Sequence, residues 1–143
     1  MKVEQISIFV ENKTGRLLAI SEILAKNHID ISALSLADTE EYGVLRMIVS
    51  DPHKAKEALN EAGIICKVTE VLAVAIDDVP GGFYNSLKIL SENHVDVKYM
   101  YACVSHEKGK ALMILSVDDI DKAYNLVKEN SKIDVNPSDI YRL

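Results

Sequence analysis

The sequence predicts an α+β protein made of two copies of one small unit, and three observations carry that prediction. First, the chain repeats itself: moved by 66 positions, residues 3–51 lie on residues 69–117 without a gap, and twelve of the 49 pairs are identical. The identities are Glu4/Glu70, Gly15/Gly81, Ile23/Ile89, Leu24/Leu90, Asn27/Asn93, His28/His94, Asp30/Asp96, Glu41/Glu107, Gly43/Gly109, Met47/Met113, Ile48/Ile114 and Ser50/Ser116. Second, the spacing of apolar residues switches between strand and helix periods in the same order in both halves. Third, a period this long, present only twice, is a duplicated domain rather than a solenoid.

In the first copy, Val3–Val10 alternates Ile6, Ile8 and Val10 with Gln5, Ser7 and Phe9, which predicts a strand. A loop over Glu11–Gly15 leads into Arg16–Asn27, where Leu17, Ile20, Ile23 and Leu24 recur at helical spacing. Ile31–Ala37 and Val44–Val49 read as strands joined by an acidic turn over Asp38–Gly43. Pro52 suits the first turn of a second helix, with Asp51 as its N-cap and Gly63 at its end. Ile64–Val68 is the fourth strand.

The second copy follows the same plan: strand Val71–Ile76, helix Gly82–Asn93, strands Val95–Val104 and Lys110–Ser116, helix Ile120–Asn130 capped by Asp118 or Asp119, and a short strand at Ile133–Val135. The tail Ser138–Leu143 resembles the start of a third copy and is expected to add an extra strand to a sheet edge. The order βαββαβ folds as a four-stranded antiparallel sheet with both helices on one face, the ferredoxin-like arrangement. The expected boundaries are 1–69 and 70–143, joined at Thr69-Glu70 without a flexible linker. Each copy alone is small enough to be marginal, so the copies are expected to pack on each other or on a second chain as a homodimer.

The chain has 143 residues and a net charge of −6. That balance disfavours nucleic acid as a partner, and no basic run offsets it. No apolar stretch reaches the ~18–20 residues that span a bilayer, and MKVEQISIFVEN lacks the continuous apolar core of a signal peptide. The expectation is therefore a cytoplasmic protein. Cys66 and Cys103 form no CxxC motif and read as buried thiols. His28 and His94 recur at one position of the repeat, but no further ligands accompany them. They read as helix-terminal residues rather than metal ligands, and no cofactor is expected. No nucleophile–base pattern, P-loop or GxSxG is present, which points away from catalysis.

The strand–helix loop carries the candidate chemistry. It reads Asn12-Lys13-Thr14-Gly15-Arg16-Leu17 in the first copy and Asp78-Val79-Pro80-Gly81-Gly82-Phe83 in the second. Glycine permits a sharp turn or close approach by a ligand, and amide groups at a helix start hold anions. Asn12 or Asp78 could accept from an ammonium group. The same residues also suit a plain turn in which Asn12 or Asp78 caps the helix.

ENKTGRL and DDVPGGF resemble the D/N-x-x-G-x-L/F loop of the ACT domain, a small-molecule-binding regulatory module. The helix ends Leu24-Ala25-Lys26-Asn27-His28-Ile29-Asp30-Ile31 and Leu90-Ser91-Glu92-Asn93-His94-Val95-Asp96-Val97 are similar to that family's second signature. The resemblance covers nearly the whole chain, as a tandem ACT protein with no catalytic domain attached. It implies a non-enzymatic regulatory or sensor protein that binds a free amino acid at interfaces between ACT units. The contacts it implies are one unit's first loop, Asn12, Lys13, Thr14, Gly15, Arg16 and Leu17 or Asp78, Pro80, Gly81, Gly82 and Phe83, with the start of the second strand contributed by the neighbouring unit, the strand starts being Asp30-Ile31 and Asp96-Val97. Thr14 departs from the proline common there, and Asp30 and Asp96 depart from asparagine. The signal would pass to an unidentified enzyme or regulator. The alternative expectation is a structural or dimerising ACT-like module without a ligand.

Overall fold

The computed structural model describes residues 1–38, 42–104, 108–130 and 133–141. Its elements are β1 (Lys2–Glu11), α1 (Arg16–Lys26), β2 (Ile31–Asp38), β3 (Tyr42–Val49), α2 (Pro52–Glu61), β4 (Cys66–Asp77), α3 (Gly82–Glu92), β5 (Val97–Cys103), β6 (Lys110–Val117), α4 (Ile120–Glu129) and α5 (Pro137–Ile140). The chain divides into two compact units, Glu4–Thr69 and Glu70–Leu143 together with Met1–Val3. Each is α+β with antiparallel pairing, and the βαββαβ order is the ferredoxin-like one. The expected fourth strand of the first copy and first strand of the second are one continuous strand, β4.

In the Glu4–Thr69 unit, β3 pairs on one side with β1 (Ile6 opposite Met47) and on the other with β2 (Leu36 opposite Leu45). Ile6, Ile8 and Val10 point to the same side as Leu45 and Met47, where Ile20 and Leu24 of α1 and Ala55 and Leu59 of α2 cover them. In the other unit, β6 lies between β4 and β5. Leu72, Val74 and Ile76 pack there with Leu90 of α3 and Ala123 and Val127 of α4. Cys66 and Cys103 are buried thiols outside any disulfide, and burial pushes the Cys66 thiol above its ordinary value.

The gapless repeat is corrected by the strand registers. Ile6 faces Met47 and Leu72 faces Leu115, so β1 and β4 correspond at 66 residues but β3 and β6 at 68. The caps of the second helices, Asp51 and Asp119, are also 68 apart. The two extra residues fall between β5 and β6. Gly43/Gly109, Met47/Met113, Ile48/Ile114 and Ser50/Ser116 are therefore coincidences of sequence rather than equivalent places. A slip of two residues keeps every side chain on its own face of a strand, which is why the apolar pattern concealed it.

The expected C-terminal strands are also corrected. Ile133 reaches the sheet through one bond, the Ala75 N–H donating to its carbonyl at 3.1 Å, while the ladder position beside Ala73 is taken by Met1, with backbone bonds of 2.8 and 2.9 Å in both directions. The tail forms the helical turn α5 instead of a strand. Pro137 has no N–H for a ladder and its fixed φ suits a first helical turn. The turn buries Ile140 completely. Arg142 and Leu143 lie outside the described residues, as do Thr39, Glu40 and Glu41 of the acidic turn, Glu107 and His106.

Helices α1 and α3 end alike. The Ile29 N–H donates to Leu24 O and the His28 N–H to Ala25 O, both at 3.0 Å; Val95 and His94 repeat this on Leu90 and Ser91. This is the Schellman ending, whose left-handed position normally belongs to glycine. Here it holds His28 at φ 55° and His94 at φ 54°. The helix-terminal reading of the histidines follows from this geometry. Replacing either with glycine is expected to raise stability by about 0.5–1 kcal/mol, the left-handed strain outweighing the added chain freedom. Chemical denaturation checks it, and a loss of stability would mean that the imidazole makes a compensating contact.

Candidate functional site

Two pairs of helices begin in different ways. Asp51 and Asp119 cap α2 and α4, their carboxylates accepting from the Lys54 N–H at 2.9 Å and the Lys122 N–H at 3.0 Å. At α1 and α3 the cap position is Gly15 (φ 89°) and Gly81 (φ 85°), and no side chain caps either helix. The cap position itself is thus a glycine rather than Asn12 or Asp78. The loops close on their own backbones: Lys13 N–H to Glu11 O (2.7 Å) and Arg16 N–H to Lys13 O (3.3 Å), matched by Val79 to Asp77 (2.9 Å) and Gly82 to Val79 (3.0 Å). The next amides, those of Leu17 and Leu18 and of Phe83 and Tyr84, stand at an open helix start.

In the first copy the loop, from Asn12 to Leu17, is exposed. Glu11 joins its two cations, at 3.0 Å from Lys13 and 3.4 Å from Arg16. The Lys13 ammonium, then the Arg16 guanidinium, hold the Glu11 carboxyl below its ordinary value. These charges are solvated, so they add little to stability. They leave one net positive charge beside the open helix end. Leu17 and Ile31 meet in a single apolar pocket of about 230 Å³ between α1 and β2, with Leu24, Leu34, Leu45 and Met47. Thus a loop residue and a strand-start residue of the same copy meet, where the resemblance implied a strand start from the neighbouring unit, and Leu34 and Met47 extend the pocket beyond the expected residues. Both were legible as apolar strand positions, but nothing in their spacing marked them as pocket rather than core.

Asp30 is held through its backbone. Its N–H donates to the Ser50 hydroxyl at 3.1 Å, and its carbonyl accepts from the Ser50 N–H at 3.0 Å. A register shift follows at once, between Ile31 and Ala33. Such bulges re-aim side chains at the start of a strand.

The second copy keeps the backbone and loses the pocket. Phe83 lines a space of only about 10 Å³ beneath α3. Asp96 and Val97 border an open groove along α3, without Asp78, Pro80, Gly81, Gly82 or Phe83. Asp96 is tied as Asp30 is, its N–H donating to the Asp118 carboxylate at 2.9 Å. That bond, with a further one from the Asp119 N–H, holds the Asp118 carboxyl below its ordinary value. Gly82 is buried, and a Cβ there would lie 2.0 Å from the Asp77 carbonyl oxygen, so it serves packing rather than ligand approach. Lys110 pairs with Asp77 at 2.6 Å, where Glu11 in the first copy holds the loop's cations.

Among the described residues no cluster of His, Cys, Asp and Glu could hold a metal ion, and no helix is long and apolar enough to cross a membrane.

The family model described as "ACT domain pair" matches residues 1–143. The chain belongs to the ACT domain pair family. Among solved structures, this ACT pair is similar to protein BT0572 from Bacteroides thetaiotaomicron, with 38% identity, a TM-score of 0.90 and coverage of 100% of this chain and 98% of that one. It is also similar to the regulatory subunit of aspartate kinase from Thermus thermophilus in its ligand-free form, at 15% identity and a TM-score of 0.61, covering 88% and 91%. The aspartokinase alpha and beta subunits match at 15% identity and a TM-score of 0.60, covering 90% of each chain. At these identities the last two likenesses are of fold. No curated protein matches the ACT pair in sequence.

Proposed function

We propose that this ACT pair is a non-enzymatic regulatory or sensor protein that binds a free amino acid at the loop of its first copy. The observation that carries the reading is the uncapped start of α1 beside the Leu17–Ile31 pocket. The ligand's carboxylate takes the place of the missing cap on the Leu17 and Leu18 amides, where the helix dipole favours an anion. Its side chain enters the 230 Å³ pocket, whose lining is apolar. An apolar cavity of about 150 Å³ already holds a benzene ring, so one aliphatic or aromatic side chain fits. The similarity to regulatory subunits of aspartate kinase supports a regulatory role, with an enzyme or regulator as its unidentified partner.

A thermal-shift panel of the twenty amino acids tests this. Binding is expected to stabilise the fold by about 2.7 kcal/mol when ligand stands at 100 times its dissociation constant. Gly15→Val, a β-branched residue forced to positive φ, should abolish the response. So should Leu34→Asp, which lines the pocket from an exposed position without straining the backbone. His28→Ala should leave it largely intact. If no amino acid moves the melting temperature at millimolar concentration, the structural module without ligand becomes the better reading.

The proposed assembly is a homodimer. In the described residues β2 pairs only with β3 and carries Leu34 and Leu36 half-exposed along a sheet edge. An edge of this kind invites a further strand. Sedimentation should give twice the mass of one chain at micromolar concentration, and Leu36→Lys should shift it toward the monomer. A monomer throughout would contradict the dimer and leave the fold untouched.

A further inference from the structure

The most exposed large apolar side chains of the described residues are Ile65 at 86% and Phe9 at 80%, and both border one cleft. It lies between the end of β1, the start of α1 and the Gly63–Ile65 connection, shares Ile20 with the Leu17–Ile31 pocket, and measures about 430 Å³. In the second copy the matching place is smaller, about 280 Å³, and more polar, lined by Asp77, Gly82, Asn85, Ser86 and Ile133. Ala75, which corresponds to Phe9, is 4% exposed and bonded to the Ile133 carbonyl, and Ile133 is 5% exposed. In the first copy Ile65 lies one residue before the Cys66 end of β4, and both it and Phe9 line the cleft. Exposing two such side chains in water brings the fold no advantage.

The polar lining defines the ligand's other end. Glu11 and Arg16 face the cleft, and Glu11 is shared by Arg16 and Lys13. Two cations on one carboxylate leave the mouth with a surplus positive charge, carried by a guanidinium suited to bidentate recognition of a carboxylate. The volume is in the range of small-molecule sites, roughly 300–1,000 Å³.

We propose that this cleft is a second ligand site, separate from the amino-acid pocket, that takes a small carboxylate with a bulky apolar body. The carboxylate meets Arg16, and the body lies between Phe9 and Ile65. An amino acid or its 2-oxo acid could supply this chemistry, so the test uses both together with a plain acid.

The intact ¹⁵N-labelled chain is titrated with 3-phenylpropionate, phenylpyruvate, phenylalanine and, as the uncharged control, 3-phenylpropanol. Saturable amide shifts are expected at Phe9, Arg16 and Ile65 with the acids and not with the alcohol. Phe9→Ala and Arg16→Gln, both at exposed positions, should each weaken binding at least about fivefold, roughly 1 kcal/mol. Leu34→Asp should change it little, since that residue lines the other pocket. Absence of saturable shifts at these residues, equal binding of the alcohol, or binding indifferent to both variants would overturn the proposal. Shifts confined to Leu17, Ile31 and Leu34 would overturn the second site while leaving the amino-acid pocket standing. Loss of the amino-acid response in the thermal panel, with the cleft still titrating, would separate the two readings the other way.

Discussion

Gly82→Ala is expected to destabilise the chain by about 3 kcal/mol, the upper end of what overpacking one methyl group costs. The added Cβ would sit 2.0 Å from the Asp77 carbonyl oxygen, and backbone cannot yield as a side-chain tip can. The contrast is the corresponding residue of the first copy, Arg16, which carries an exposed side chain there, so Arg16→Ala should stay within about 0.5 kcal/mol of the parent. Urea denaturation of both variants decides it. A Gly82→Ala protein as stable as the parent would mean that the β4–α3 loop is looser than its hydrogen bonds imply.

Leu24→Ala should cost about 3 kcal/mol. Leu24 is 1% exposed among Ile20, Leu59 and Met47, and truncating a buried leucine loses both transfer energy and packing, in a range of about 2–5 kcal/mol. It also supplies the carbonyl that ends α1, but alanine keeps that bond, so the loss measures packing alone. Leu18→Ala, on the same helix but 71% exposed, should change stability by under about 0.5 kcal/mol. Equal effects at the two positions would contradict the orientation of α1 on its sheet.

Much of this architecture was legible because the physical signals were local. Periodicity alone placed β1, α1, β2 and β3, and Asp51-Pro52 marked the start of α2 through cap chemistry. The errors arose where a signal was degenerate. A two-residue slip is invisible to a period of two, so Met47/Met113 looked equivalent although β6 runs at a different offset. The tail's likeness to the start of a third copy suggested a strand, while Pro137 just ahead of it held the stronger constraint. In the site, Gly15 and Gly81 announced the left-handed turns, whereas the meeting of Leu17 with Ile31 inside one copy was not legible, the resemblance having implied a strand start from the neighbouring unit. At Gly82 the need for packing was not distinguishable in sequence from a need for ligand approach, because the two kinds of glycine look the same there. Glu11, which organises Lys13 and Arg16, and the Phe9–Ile65 cleft depend on which residues the fold brings side by side. No spacing along the chain could reveal them.

An amino-acid carboxylate at the open start of α1 is the proposal on which the function rests. Its most direct test is a titration of the ¹⁵N-labelled chain with each amino acid that shifts the melting temperature, read at individual amides. Saturable downfield shifts are expected at Leu17 and Leu18, with smaller ones at Ile31 and Leu34, and no comparable change at the capped starts Lys54 and Lys122. Saturable binding that leaves Leu17 and Leu18 unmoved would contradict it.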